Sequence, residues 1–177
     1  SVYTISGANG VGKSTLLDLI FGLIQPDEGS ISFIGPHGKN IARNQISIGY
    51  LSQNPSLFEK TFESNITMQR SFRKRQFDHV LGLTNISALL GTRGLSLTEE
   101  LLNEDRRFSR GEIQRLAFAR SNYMEPTVLL LDEPFAAVDA SNRSRIIENL
   151  RSCEDRIIII VSHDETTVKL SDEIIHI

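Results

Sequence analysis

The chain has 177 residues, with 19 basic and 22 acidic side chains and a formal net charge of −3. That balance excludes an overall pull towards nucleic acid or anionic lipid, so any phosphate binding must come from a local arrangement. With 40% hydrophobic and 23% charged residues the composition is that of one folded domain, and the single cysteine, Cys153, excludes an internal disulfide.

No apolar run approaches bilayer length; the main ones are Val128–Leu131 and Ile157–Val161. The chain opens at Ser1 and enters an apolar stretch at once, and we read it as a piece of a longer protein. Val2–Ile5 predicts a strand that runs into the glycine-rich Gly7–Gly12. Leu16, Leu17, Ile20 and Phe21 then recur at helical spacing. Pro26–Gly29 and Gly35–Gly38 are turn signals around a strand predicted at Ile31–Ile34, and Ile46, Ile48 and Tyr50 alternate towards Gln53.

From Pro55 to Glu125 the pattern is helical, with Phe77, Val80 and Leu81, then Ile86, Leu89 and Leu90, then Ile113–Arg120. Val128–Leu131 and Ile157–Val161 are solid apolar runs, as for strands covered on both faces. A helix through Ile146, Ile147 and Leu150 separates them, with Ser141 as its expected cap. This alternation predicts an α/β fold with a mostly parallel sheet flanked by helices. The expected layout is a core over 1–54 and 126–177 and an inserted helical subdomain over about 55–125.

Gly7, Ala8, Asn9, Gly10, Val11, Gly12, Lys13, Ser14 and Thr15 match the P-loop pattern G-x-x-x-x-G-K-[ST]. Glycines let main-chain N–H groups curl around phosphate oxygens, and the following helix points its positive end at the same anion. Lys13 would reach the outer phosphates and the Ser14 hydroxyl would bind Mg²⁺. At Val128–Glu133 four apolar residues run into two acids. On a buried parallel strand, function belongs at the carboxyl end. Asp132 would hold magnesium there, and Glu133 would orient or deprotonate a water.

Taken together in this order, the motifs resemble those of the ATP-binding cassette (ABC) ATPases. Gln53 in Leu51–Pro55 resembles the Q-loop, and Phe108–Glu112 resembles the signature segment, usually Leu-Ser-Gly-Gly-Gln. Asp132 and Glu133 match the Walker B acid and catalytic glutamate. Ala136–Asp139 resembles the D-loop, and Val161–Asp164 the switch histidine segment.

The resemblance implies a P-loop NTPase that binds ATP and Mg²⁺ in a head-to-tail pair with a second ABC ATPase domain, in a homo- or heterodimer. Ser109, Gly111 and Asp139 would complete the partner's site. Lys13, Gln53, Glu133 and His163 would be catalytic, and Ser14, Gln53 and Asp132 would hold the metal. By position alone Ser109 is equally a helix N-cap, and His163 an ordinary histidine.

The sequence departs from the family pattern in that Arg110 replaces a signature glycine and Glu112 replaces glutamine, which implies reduced turnover. With six residues before Gly7, the family's upstream adenine-stacking aromatic and antiparallel edge strands are missing, which implies weak base discrimination. Leu57–Ile66 and Gly91–Gly94 are similar to exporter segments. They imply a transporter motor on the cytoplasmic side of a membrane, with a permease domain fused upstream. The rival readings are a soluble ABC ATPase acting on DNA or ribosomes and a regulatory module without hydrolysis. The Arg70–Arg75 cluster reads as a solvated helix face, so no nucleic acid is expected.

Overall fold

The computed structural model describes residues 1–58, 60–100, 108–135, 138, 140–152 and 156–177. Its main sheet has five strands: β1 (Val2–Ser6), β4 (Ile48–Leu51), β5 (Val128–Asp132), β6 (Ile157–Val161) and β7 (Glu173–His176). Their order is β4-β5-β6-β1-β7 and every pairing is parallel. A separate antiparallel pair joins β2 (Phe33–Ile34) to β3 (Asn40–Ile41). The expected mostly parallel α/β sheet is therefore present.

All five residues of β5 are buried, because alternate side chains serve two cores. Val128 and Leu130 pack with Ile5, Val161 and Leu17 of α1 (Lys13–Phe21). Leu129 and Leu131 face the other way, towards Ala117 and Phe118 of α5 (Arg110–Asn122) and Ile147 and Leu150 of α6 (Ala140–Arg151). Helices on both faces cover the sheet, which is why its central strands read as unbroken apolar runs.

A third cluster joins α5 to α2 (Phe62–Thr67), α3 (Lys74–Thr84) and α4 (Ile86–Arg93). Phe62 meets Phe108 edge to face at 5.5 Å. The Tyr123 hydroxyl accepts from Arg73 N at 2.8 Å and donates to Ser71 O at 3.1 Å. One face of α5 thus packs on the sheet and another on these helices.

Several local expectations fail. The strand expected over Ile31–Ile34 shrinks to Phe33–Ile34, since Ile31 and Ile34 are 40% and 68% exposed and have no layer to pack on. The basic cluster is not one helix face: α3 begins at Lys74, with Arg73 extended and its N–H taken by Tyr123. Gly91–Gly94, similar to a loop of exporters, is instead the end of α4 with its left-handed cap Gly94 at φ 65°. Ser141 is not a cap, because α6 begins at Ala140. Strand β7 went unpredicted, and it pairs with β1 through Tyr3–Glu173 to Ser6–His176.

Candidate active site

Because the strands are parallel, their carboxyl ends share one edge. Leu51 is in register with Leu131, Asp132 with Val161, and Val161 with Ile5. The segments leaving β1, β4, β5 and β6 carry Gly7–Gly12, Gln53, Glu133 and His163 respectively. Residues far apart in the chain therefore emerge at one rim, the usual ligand-binding edge of such sheets.

Gly7–Gly12 turns from β1 into α1. Gly10 and Gly12 hold φ of 82° and 102°, which only glycine adopts freely. A Cβ on Gly7 would overlap the Ile177 carbonyl. Lys13 is buried, and its Nζ donates to Gly7 O at 2.9 Å and Ala8 O at 2.7 Å. The ammonium is thus held inside the loop, while Asn9, Gly10, Val11 and Thr15 form its exposed rim. The N-terminus of α1 adds its partial positive charge to the same point.

Asp132 closes β5 at 2% exposure, and its Oδ1 has no hydrogen-bond partner among the described residues. Burial pushes its carboxyl above the usual range, the Ser14 hydroxyl opposes this, Asp18 adds to it and Lys13 opposes. Asp18 accepts from the Tyr50 hydroxyl at 2.7 Å. Burial and Asp18 push that phenol well above its ordinary value.

Glu133 takes a left-handed backbone, φ 47°, which costs a non-glycine residue on the order of 1 kcal/mol. Two bonds hold it: its N–H donates to Val161 O at 3.0 Å, and its carbonyl accepts from Gln114 Nε2 at 2.6 Å. The Glu133 carboxylate stands 3.8 Å from His163 Nε2. Burial raises the pKa of Glu133, and His163 works against that rise.

Ser109 and Gly111 lie elsewhere, at the start of α5, and among the described residues neither has a side-chain hydrogen bond to the P-loop. Ser109 is an N-cap within a full capping box. Its Oγ accepts from Glu112 N at 3.3 Å, and its N–H donates to Glu112 Oε2 at 2.7 Å. The guanidinium of Arg93 forks onto Glu112 at 2.8 and 2.9 Å and lies 4.9 Å above the Phe108 ring. Asp139, Ala136 and Ala137 lie outside the described residues. Sequence reasoning missed Gln114, Tyr50, Asp18 and Asn54. Gln114 sits inside the expected helix Ile113–Arg120, but only the structure shows its amide buried and bonded to Glu133 O.

The residues fit a magnesium nucleotide. A hydroxyl and a buried carboxylate oxygen without a partner form a hard oxygen donor set, and Mg²⁺ commonly takes one or two protein oxygens, the rest coming from phosphate and water. Among the described residues no group of three or more His, Cys, Asp or Glu could hold a metal alone.

Comparison with known proteins agrees with this geometry. A family model described as "ABC transporter" matches residues 1–136. The sulfate/thiosulfate import ATP-binding protein CysA of Mesostigma viride is 36% identical over 99% of this chain and 51% of its own length. The molybdenum import ATP-binding protein ModC of Brucella suis biovar 1 is 34% identical over 98% of this chain and 50% of its own length. A bacterial Atm1-family ABC exporter solved with ATP bound superposes with a TM-score of 0.86 at 28% identity, over 100% of this chain and 32% of that one. The chain thus spans about half the length of the two import relatives. On the match over residues 1–136, the chain belongs to the ABC transporter family of ATP-binding domains.

Proposed function

We propose that this chain binds ATP with Mg²⁺ at Gly7–Thr15 and hydrolyses it to ADP and phosphate, as the motor of a membrane transporter. One observation supports this most: the buried Asp132 carboxylate, with an oxygen left over, lies beside Ser14 and the P-loop lysine. Lys13, Ser14 and main-chain amides would neutralise and orient the phosphates. Ser14, Gln53 and Asp132 would hold magnesium, which would supply charge neutralisation to the phosphates. Glu133, its carboxyl raised by burial, would take a proton from water, and His163, 3.8 Å from it, would close on the Glu133 carboxylate to hold it in register.

Ser109, Gly111 and Asp139 belong, in this reading, to the site of a second ABC ATPase domain stacked head to tail. The N-terminus of a 13-residue helix at Ser109 supports it, since such an end attracts an anion. With a core over 1–54 and 126–177 and a helical subdomain over about 55–125, as proposed, Gln53 would lie at their junction and would pass the nucleotide state to a permease. Among the described residues no helix is long and apolar enough to cross a membrane, so the permease would be a further domain or chain. The ATPase would face the cytoplasm.

Export is supported by the Leu57–Ile66 segment and by the exporter's fold likeness, and import by the names of the relatives. The test is hydrolysis by the full-length chain with its transporter partners, with and without Lys13→Ala. Loss of nucleotide binding in that variant supports the reading. Unchanged binding and turnover would remove the P-loop from it. Transport into or out of vesicles carrying the assembled complex reads the direction.

A further inference from the structure

We propose that Arg143 is a positioning residue for hydrolysis: its guanidinium ties the segment leaving β5 behind Glu133 to the segment leaving β6 behind His163, and so sets the spacing of those two side chains. The proposal rests on the roles given above to Glu133 and His163.

Arg143 lies on α6, one turn ahead of Ile147, and Ile147 and Leu150 are buried against the sheet. The helix is therefore a fixed base. From it the side chain, 12% exposed, reaches two loops at once. One nitrogen pairs with the Asp164 carboxylate, directly after His163. The other donates to Val138 O at 2.8 Å and sits 3.4 Å from Phe135 O, in the segment that follows Glu133.

Asp164 is itself anchored. Its Oδ1 accepts from Thr167 N at 3.0 Å, capping the short helix α7 (Glu165–Lys169), and its N–H donates to Ser162 Oγ at 3.1 Å. The Arg143 hydrogen bond holds its carboxyl below the usual range. The contact at stake is narrow: Glu133 and His163 stand 3.8 Å apart, beyond a hydrogen bond, so a small shift of either loop makes or breaks it. A planar fork suits this task, since it serves a carboxylate and carbonyls in different directions, whereas an ammonium is a single point charge.

The test uses the full-length chain with its transporter partners and four variants: Arg143→Ala, Arg143→Lys, Asp164→Asn and Leu150→Ala. Asparagine caps a helix as well as aspartate does, so Asp164→Asn removes the charge and spares α7. Arg143→Ala and Asp164→Asn are expected to lower kcat by about 10–100-fold, the scale of a small misplacement of catalytic groups, with KM for ATP within about threefold of wild type. Arg143→Lys should fall between. Leu150→Ala should lower the melting temperature yet keep wild-type kcat well below it.

Wild-type kcat in both Arg143→Ala and Asp164→Asn would overturn the proposal. So would a matching loss of kcat in Leu150→Ala, which would make the effect one of stability. A wild-type chain that hydrolyses no ATP would instead defeat the ATPase reading on which the proposal stands.

Discussion

Arg110 donates from Nη2 to Asn54 Oδ1 at 2.8 Å, joining the first residue of α5 to the residue after Gln53. The long side chain that stands where the family has glycine is thus turned towards the end of β4. An exposed bond of this kind contributes about 0.5–1 kcal/mol or less. Its interest lies in geometry, because it ties the Gln53 segment, at this chain's own proposed site, to the start of α5, which in the proposed pair would serve the partner's site.

Arg110→Gly should therefore raise ATP turnover of the assembled transporter by roughly three- to tenfold, about 1 kcal/mol of barrier, by freeing the start of α5 to approach its partner. Steady-state phosphate release measures this. Equal or slower turnover would show that Arg110 does not hinder the approach.

Glu133→Gln should lower hydrolysis by about 10²–10⁴-fold and leave ATP binding intact, because the amide keeps the shape and cannot accept the proton. Burial raises the Glu133 carboxyl. As the proposed base, Glu133 would be active only above a pH higher than the ordinary glutamate value of about 4.3, and the acidic limb of kcat should lie above it. That limb should vanish from the residual activity of the variant. Stopped-flow binding and single-turnover hydrolysis separate the two effects.

The central strands and the P-loop were legible because one local rule governs each: a strand buried on both faces is apolar throughout, and a phosphate loop needs glycines. Asp132 and Glu133 followed, since their place at a strand end is a matter of counting. Other features depended on contacts between distant segments. Helix α3 starts where it does because Tyr123, 50 residues on, takes the Arg73 N–H. Strand β7 is only Glu-Ile-Ile-His, and none of its residues is buried, so no burial pattern marked it; its pairing with β1 defines it. The Gln114–Glu133 bond spans 19 residues and two elements, and no spacing rule encodes it. In the sequence Glu112 stands out only as a replacement for glutamine. Its partner Arg93 emerged only from the packing of α4 on α5.

That pair gives a pH prediction. Burial works against ionisation of Glu112, but hydrogen bonds from Ser109 N–H and Arg93 outweigh it and hold its carboxyl below the usual range. A depressed folded value means that the stability it contributes is present above the unfolded value of about 4.3 and is lost as pH falls through the folded one. Glu112→Gln keeps a capping-box partner but gives up the ion pair. It should cost about 0.5–1 kcal/mol at pH 7 and less at pH 3, measured by urea unfolding at both. An equal cost at the two pH values would assign the loss to packing instead.

Asp132 should show the opposite sign. Burial raises its carboxyl above the unfolded value of about 3.9, and Asp18 adds to that rise. Stability is then greatest below the unfolded value and is lost as pH rises through the folded one, so above the folded value the nucleotide-free domain carries a destabilising charge. Asp132→Asn removes the charge and keeps the volume. In the absence of nucleotide it should raise the melting temperature by about 2–4 °C, the size of ~1 kcal/mol in a chain of this length, and flatten the pH dependence above pH 4. With magnesium and ATP the order should reverse, because the wild type gains ligand stabilisation that the variant has lost. Scanning calorimetry with and without magnesium nucleotide reads both halves. A lower melting temperature for the empty variant would mean that the Asp132 carboxylate is held for the fold, and a retained magnesium effect would mean that the metal sits elsewhere.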